Sequence, residues 1–195
     1  MKNYLIFLNA ITIFLLISCS STQRQIQYPF MIGQAIDSLN GVKVYYNGET
    51  ENVSGYNQTE DKYNIGLKYQ CVEFVKRYYL EYLNHRMPNA YGHAKDFFNP
   101  SIPDGEINTD RNLTQYKNPS TTKPEINDLL VFAGTEKNIY GHVAIVSKVT
   151  NNDIEIIQQN AGPFDATRER FKLIFEGGKW KIENNRVLGW LRKEK

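Results

Sequence analysis

An amphipathic stretch that begins with a cysteine is the feature that most constrains how this chain can fold. Residues 68–79 read Lys-Tyr-Gln-Cys-Val-Glu-Phe-Val-Lys-Arg-Tyr-Tyr, with apolar side chains at helical spacing and charged ones largely on the other side. The pattern predicts a helix that buries one face against a sheet and carries Cys71 in its first turn. Free N–H groups and the positive end of the helix dipole favour an anion there, so we expect a lowered pKa for the Cys71 thiol.

A histidine and a pair of amides later in the chain give Cys71 a chemical context. Residues 141–149 predict a buried strand that opens with His142, and residues 154–159 predict a second strand, which leads into the amide run Gln158-Gln159-Asn160. This is the order of a nucleophile, a base and an orienting group. A lone cysteine is more often a small buried hydrophobe, and the later partners favour the catalytic interpretation.

These runs resemble the CHAP family, the cysteine- and histidine-dependent amidohydrolases and peptidases of the papain-like superfamily. The family's two motifs match Gln-Cys-Val-Glu-Phe at 70–74 and Gly-His-Val-Ala-Ile at 141–145. A particular likeness to the amidase domain of glutathionylspermidine synthetase/amidase spans about residues 32–192. The resemblance implies an α+β, papain-like (NlpC/P60-type) fold, in which N-terminal helices pack on an antiparallel β-sheet.

The resemblance also implies roles for the site residues, with no cofactor. Cys71 would be the nucleophile and His142 the base, and the Cys71 backbone N–H and Gln70 are the candidate oxyanion donors. The orienting group stays open between Gln158, where the amidase relative carries a glutamate, and Asn160, since some members use an asparagine there. Residues two apart on a strand share a face, so both could reach the imidazole. An amide holds a tautomer without balancing an imidazolium charge, which leaves a less active or silent domain open.

Two other histidines compete with His142 for the role of base. His85 lies in a polar stretch near the far end of the cysteine helix, and we expect it in a solvated loop. His93 lies near the start of a second, shorter helix and could line the groove. We favour His142 because it opens an apolar strand, which is a rigid platform, and because it matches the family motif.

The N-terminal residues predict export and a lipid anchor. Residues 1–18 form a lipoprotein signal peptide whose apolar run is too short for an ordinary spanning helix, and Leu-Ile-Ser-Cys ending at Cys19 resembles a bacterial lipobox. Cys19 would carry the lipid, residues 19–28 would form a polar tether and residues 29–195 the CHAP-like domain. An ordinary signal peptide cut nearby, or an uncleaved anchor, is the alternative. The lipoprotein prediction places the protein in the bacterial cell envelope, at the outer membrane or the periplasmic face.

Composition and residue spacing limit the number of domains and the kinds of binding site that we expect. The 195 residues, 41% of them hydrophobic, suit one domain, and a net charge of +2 provides no electrostatic footprint for nucleic acid. The three histidines are far apart and lack metal-ligand spacing, so we expect no metal site. A disulfide between the two cysteines would join a leader to the catalytic helix, so we expect Cys71 to be free. We expect a monomer.

The rest of the pattern predicts secondary structure in outline. The predicted elements are a turn or short helix at 32–37, a strand at 42–46, a surface loop at 49–65, a long loop at 99–125, a strand at 129–132, a hairpin at 172–182 and a closing strand at 188–191 that includes Trp190 in the core.

Together these observations predict an exported, lipid-anchored cysteine amidohydrolase or peptidase that works through a thiolate and a thioester. The expected substrate is peptidoglycan peptide, because many members of the family cleave cell-wall peptides and this polymer lies beside the predicted anchor. One alternative is an amidase that acts on a small γ-glutamyl or polyamine conjugate. Another is a catalytically silent envelope lipoprotein that keeps the fold.

Overall fold

One long antiparallel sheet organises residues 27–194, the part of the chain that the computed structural model describes. The elements in chain order are β1 (Ala35–Leu39), β2 (Val42–Tyr45), β3 (Tyr56–Gln58), β4 (Asn64–Leu67), α1 (Cys71–Glu81), a 3₁₀ helix (Ala94–Phe97), β5 (Glu106–Asn108), β6 (Leu113–Lys117), β7 (Leu129–Phe132), β8 (His142–Val149), β9 (Asp153–Ile157), β10 (Arg168–Glu176), β11 (Lys179–Ile182) and β12 (Val187–Arg192). The sheet has eight strands in the order β11-β10-β9-β8-β7-β12-β6-β5, while β1–β2 and β3–β4 form separate hairpins.

The α+β class with an antiparallel sheet is confirmed. At 32–37 the structure has the predicted turn at residues 32–33, followed not by a helix but by β1, which pairs with β2. The second predicted helix is the 3₁₀ helix, in which Ala94 and Phe97 are buried in the core while Lys95 and Asp96 are exposed. The papain-like assignment stays a prediction.

Helix α1 forms where the sequence predicts it and packs on the sheet through its apolar face. Its buried side chains share one core cluster with residues of β7 and β8: Phe74, Val75, Tyr78 and Tyr79 with Leu129, Val131, Val143 and Ile145. Each such apolar side chain contributes about 1.5–3 kcal/mol when it leaves water. The single hydrogen of the Tyr79 hydroxyl is shared between the carbonyl oxygens of Asn127 and Leu191, which lie 3.0 and 3.2 Å from the hydroxyl oxygen. This packing fixes the helix across the middle of the sheet.

The charged face of α1 is buried as well. Glu73, Lys76 and Arg77 are almost fully enclosed. The Lys76 ammonium donates to the carbonyl oxygens of Asn64 and Ala90, and Arg77 Nε lies 2.6 Å from Glu73 Oε1. Buried charges persist where they are paired or hydrogen-bonded, and here each has its partners. The helix is therefore held between the sheet and the hairpins.

Two polar stretches predicted as loops carry strands, so these two predictions are wrong. The stretch 49–65 contains β3 and the start of β4, and the stretch 99–125 contains β5 and β6. Within β6 the Gln115 side chain is fully buried: it accepts from the Asn99 N–H at 2.9 Å and donates to the Asn99 carbonyl at 2.8 Å. Because hydrogen bonds replace apolar packing here, hydrophobic periodicity does not reveal the strand.

The closing strand β12 lies inside the sheet and leaves no room for a side chain at Gly189. A Cβ there would clash with the carbonyl oxygen of Tyr116 on β6 and lie 2.6 Å from the Phe98 ring. Gly189→Ala is therefore expected to lower the free energy of unfolding by about 1–3 kcal/mol, measured by urea denaturation. Gly177→Asn is the control: Gly177 lies in an open turn with φ +58°, which asparagine tolerates. Equal stability of the two variants would contradict this account.

Candidate active site

The predicted base and orienting residue meet where β8 begins and β9 ends, and the predicted nucleophile is hydrogen-bonded to the residue after the base. In the part of the chain that the structure describes, no hydrogen bond joins Cys71 directly to His142. Cys71 is the first residue of α1, His142 is the first residue of β8, and Gln158 follows β9 directly. The Cys71 thiol accepts a hydrogen bond from the backbone N–H of Val143, the residue after His142. The N-terminus of α1 is thus docked on the strand start that carries the imidazole.

Gly141 shapes the entry to β8. Its φ is +77°, and a Cβ would lie 2.5 Å from the Phe132 carbonyl oxygen and 2.9 Å from Lys95 Cβ. Only glycine adopts this conformation at such close range without strain. The Gly-His pair of the motif therefore turns the chain tightly. As a result His142 begins β8 next to the end of β9.

The surroundings of Cys71 keep its thiol protonated in the free protein. Burial raises the pKa of Cys71 to about 11, although the N–H groups of Val143, Val72 and Cys71 itself act in the opposite direction. The expectation of a lowered pKa at the helix start is therefore wrong. The physical reason is desolvation: the residue is only 9% exposed, and the loss of water outweighs the helix N–H groups.

The Gln158 side chain sets the tautomer of His142. His142 Nε2 lies 3.0 Å from Gln158 Oε1, and the amide nitrogen of Gln158 donates to the Ala166 carbonyl oxygen at 3.1 Å. With its nitrogen engaged there, Gln158 offers an oxygen to the ring, so His142 Nε2 carries the hydrogen. His142 Nδ1 is left with a lone pair, which is the form a general base requires.

Burial also keeps the imidazole neutral. It lowers the pKa of His142 to about 4, against the raising effect of the Gln158 hydrogen bond, and the positive charge of Arg186 lowers it further. A neutral amide cannot offset this as a carboxylate would. Near neutral pH the resting pair is therefore a thiol and a neutral imidazole.

Asn160 takes a different part from the one predicted. Within the described residues it makes no hydrogen bond to His142; its amide nitrogen donates to Gln70 Oε1 at 2.6 Å and to the Thr50 carbonyl at 2.9 Å. Since β9 ends at Ile157 and Asn160 has φ +59°, the alternation of a strand does not extend to Asn160. In the structure Gln158, and not Asn160, is hydrogen-bonded to the imidazole.

Gln70 is also occupied. Its amide nitrogen donates to the carbonyl oxygens of Thr50, at 3.1 Å, and Asn52, at 2.9 Å, which uses both of its hydrogens. The Gln70 side chain thus ties down the loop before β3 and has no donor left for an oxyanion. The Cys71 backbone N–H, which has no helical partner at this first position, remains the candidate donor.

The competing histidines lie outside this arrangement. His85 is 7% exposed and its Nε2 lies 2.9 Å from the Arg111 carbonyl oxygen, so the expectation of a solvated loop histidine is wrong. His93 is exposed and packs against Tyr140 with the two rings tilted by 39° and 4.6 Å between their centroids. Neither histidine shares a hydrogen bond with Cys71 or His142.

A cavity of about 350 Å³ lies beside Gln158. Gln158 and Asn160 line it together with Tyr46 and the loop 161–167, whereas Cys71 and His142 do not.

Across residues 27–194, no three His, Cys, Asp or Glu side chains are grouped to hold a metal ion. The helices in the same part of the chain lack the length and apolar character of a membrane span. Cys19 and the predicted signal peptide lie outside the described residues.

Comparison with known proteins adds relatives to this geometry. The chain is 27% identical to trypanothione synthetase of Crithidia fasciculata over 160 residues, which are 77% of this chain and 24% of that protein. It is 29% identical to the bifunctional glutathionylspermidine synthetase/amidase of Escherichia coli (strain K12) over 145 residues, which are 68% of this chain and 23% of that protein. The chain thus spans about a quarter of the length of these curated relatives.

The solved structures align with a smaller share of this chain than the curated relatives do. The crystal structure of Ly7917 aligns with 64% of this chain and 53% of its own, with a TM-score of 0.39 and 17% identity. The crystal structure of Ly7917 with the hydrolyzing product of MDP aligns over 38% of this chain and 30% of its own, with a TM-score of 0.28 and 25% identity. The family model for the CHAP domain matches residues 61–160, a span that contains the cysteine, the histidine and the orienting amide. That match extends over about half of the chain, and the protein therefore belongs to the CHAP-domain family.

Proposed function

We propose that the protein is a cysteine amidohydrolase or peptidase. The observation that carries the proposal is the hydrogen bond from His142 Nε2 to Gln158 Oε1, which leaves His142 Nδ1 with a free lone pair. The backbone N–H of the next residue, Val143, donates to the Cys71 thiol. A thiol, a neutral imidazole and a fixed orienting group are the components of nucleophilic catalysis by a cysteine.

The reaction begins from the neutral pair. Cys71 Sγ bonds to the carbonyl carbon of the substrate while its proton moves to His142 Nδ1, so thiolate character develops during attack. The oxyanion that forms on the carbonyl is held by the Cys71 backbone N–H and by the positive end of α1. The carbon–nitrogen bond then breaks, and His142 gives its proton to the departing amine. Water hydrolyses the thioester, with His142 taking its proton and returning it to the sulfur.

The amide at Gln158 predicts a pH profile that a carboxylate would change. His142 stays neutral down to about pH 4, so the wild-type acid limb of kcat/KM is expected near that value. Gln158→Glu places a carboxylate on the protonated ring nitrogen and is expected to raise the acid limb by about 1–3 pH units. Gln58→Glu, an exposed site on β3, is the matched control and should leave the limb in place. An unmoved limb in Gln158→Glu would rule out Gln158 as the partner of His142.

We propose peptidoglycan peptides as the substrate. The support is the predicted signal peptide and lipobox at Cys19, which place the protein in the cell envelope beside that polymer, together with membership of the CHAP-domain family. In this proposal the protein is held at the outer membrane or the periplasmic face by a lipid on Cys19 and acts there as a monomer. Mass spectrometry of the mature N-terminus tests the anchor: a diacylglyceryl group on Cys19 supports it, and an unmodified residue refutes it.

Two further candidates rest on particular observations. The similarity to glutathionylspermidine synthetase/amidase and trypanothione synthetase favours an amidase that acts on a γ-glutamyl or polyamine conjugate. The uncharged Gln158 and the protonated Cys71 favour a catalytically silent envelope protein, since neither promotes an ion pair between a Cys71 thiolate and a His142 imidazolium.

One paired assay separates the three candidates. The full chain is incubated with purified sacculi and, separately, with glutathionylspermidine, and released fragments are identified by mass spectrometry. Muropeptides with a newly freed amine or carboxylate support the cell-wall enzyme and identify the bond that is cut. Free spermidine alone supports the conjugate amidase. No product from either substrate, with a folded chain, supports the silent protein and contradicts the hydrolase.

A further inference from the structure

We infer that Gln159, together with Glu73, is a positioning device that locks the nucleophile-bearing end of α1 to the segment that orients the base. The inference rests on the proposed function and assigns a role to two buried residues that touch neither the thiol nor the imidazole. Between them they connect β2, α1 and the end of β9.

Gln159 uses its whole amide in this connection. The side chain is 1% exposed, and its Oε1 accepts a hydrogen bond from the Tyr45 N–H at 2.7 Å. Its Nε2 donates to the Gln70 carbonyl at 3.0 Å and to Glu73 Oε2 at 2.9 Å. Gln70 is the residue before Cys71, so one of these bonds is made directly at the start of the helix.

Glu73 is itself held rigidly. It is 2% exposed; its Oε1 accepts from Asn57 Nδ2 at 2.7 Å and from Arg77 Nε at 2.6 Å. Arg77 in turn donates to the Lys43 carbonyl oxygen at 2.8 Å. Hydrogen bonds to charged groups are the stronger ones, and a buried carboxylate with several donors has one geometry open to it.

The role follows from the partners of two neighbouring side chains. Gln158 binds the imidazole, and Gln159, the next residue, binds the start of the helix. One short segment therefore holds both the base and the end of α1 that carries the nucleophile. Any movement of α1 relative to this segment changes the approach of Cys71 to His142, and misplacement of catalytic groups by about 1 Å can cost about 100-fold in rate.

The test is Gln159→Glu, which makes the connection depend on pH. The new carboxyl would face Glu73 Oε2 and the Gln70 carbonyl oxygen, and two carboxylates at that separation share one proton. At acidic pH the shared proton supplies the missing donor; as pH rises the pair ionises and repels. The ratio of variant to wild-type kcat is expected to fall by up to about 100-fold from acidic to alkaline pH, with KM little changed.

Two control variants distinguish the expected fall in the kcat ratio from a general effect of added charge, and a folding measurement distinguishes it from unfolding. Gln58→Glu adds the same charge at an exposed position and should show a constant ratio. The swapped variant Glu73→Gln/Gln159→Glu restores one donor and one carboxylate and should recover a nearly constant ratio. Near-UV circular dichroism at each pH shows that the chains compared are folded.

A readout without substrate distinguishes failure of this inference from failure of the proposed function. Cys71 in the full chain is alkylated with iodoacetamide across the pH range, and the labelled peptide is quantified by mass spectrometry. At alkaline pH Gln159→Glu should react faster than wild type, because a displaced helix end exposes the buried thiol. Equal labelling of both folded chains at every pH overturns the inference. Faster labelling in the variant, with no hydrolysis by wild type, overturns the proposed function alone.

Discussion

Cys71→Ala is expected to abolish amide hydrolysis, with a loss in kcat of at least about 1,000-fold, while the protein stays folded. The sulfur is the protein atom that forms the covalent bond to the substrate in the proposed reaction, so no neighbouring side chain replaces it. The fold should survive because alanine keeps the helix and removes one small buried atom group from the edge of the core. Product release from the preferred substrate and near-UV circular dichroism provide the two measurements.

A thiol-reactive amide probe provides the internal control for this variant. The probe should label wild type at Cys71 and leave Cys71→Ala unlabelled at that site. Cys71→Ser keeps the shape of the side chain and should also be inactive, since a hydroxyl in this desolvated position is a far weaker nucleophile. Hydrolysis by Cys71→Ala at the wild-type rate would refute the proposed mechanism.

His142→Asn is expected to lower kcat by about 100- to 10,000-fold near neutral pH, with a smaller effect on KM. Asparagine can still meet Gln158 by hydrogen bonding, but it cannot take the thiol proton or deliver one to the departing amine. Because the Cys71 pKa is raised to about 11, a variant without the base should recover rate as pH rises toward that value. The pH dependence of kcat/KM measures both effects.

The other two histidines serve as matched controls. His93→Asn changes an exposed side chain and should leave kcat close to wild type. His85→Asn removes the buried ring that bonds the Arg111 carbonyl, so its effect should appear in the unfolding temperature rather than in kcat. A loss of kcat in His93→Asn as large as that in His142→Asn would assign the base to His93.

The parts of the fold that the sequence predicts are those with a strong period or a motif. The apolar stripe of α1, the buried runs of β7 and β8 and the hairpin of β10 and β11 are visible because burial of apolar side chains dictates them. The two motifs also indicate that the start of α1 lies beside the start of β8, where the Cys71 thiol accepts a hydrogen bond from the Val143 N–H. In contrast, β6 is held by hydrogen bonds from Gln115, and polar side chains carry no such period.

The finer details of the site depend on tertiary structure that no local pattern encodes. Whether Asn160 reaches the imidazole depends on β9 ending at Ile157, and strand ends are not specified that closely by sequence. The pKa of Cys71 is set by how deeply the helix start is covered, which is a property of the packed fold. Gln159 stands out in the sequence only as part of the run of amides that ends the second predicted strand, and nothing in that run indicates that its side chain binds α1.

The place of β12 in the sheet has a consequence for how the domain holds together. Among the described strands, β12 is the one that joins β6 and β5 to the five strands from β7 to β11. Without β12, the bridge between Ser120 and Trp180 and the hydrogen bonds of Asn118 to Ile182 are what link the two groups of strands. Removal of residues 187–192 is therefore expected to leave a chain that does not fold cooperatively, because it splits the sheet in its middle.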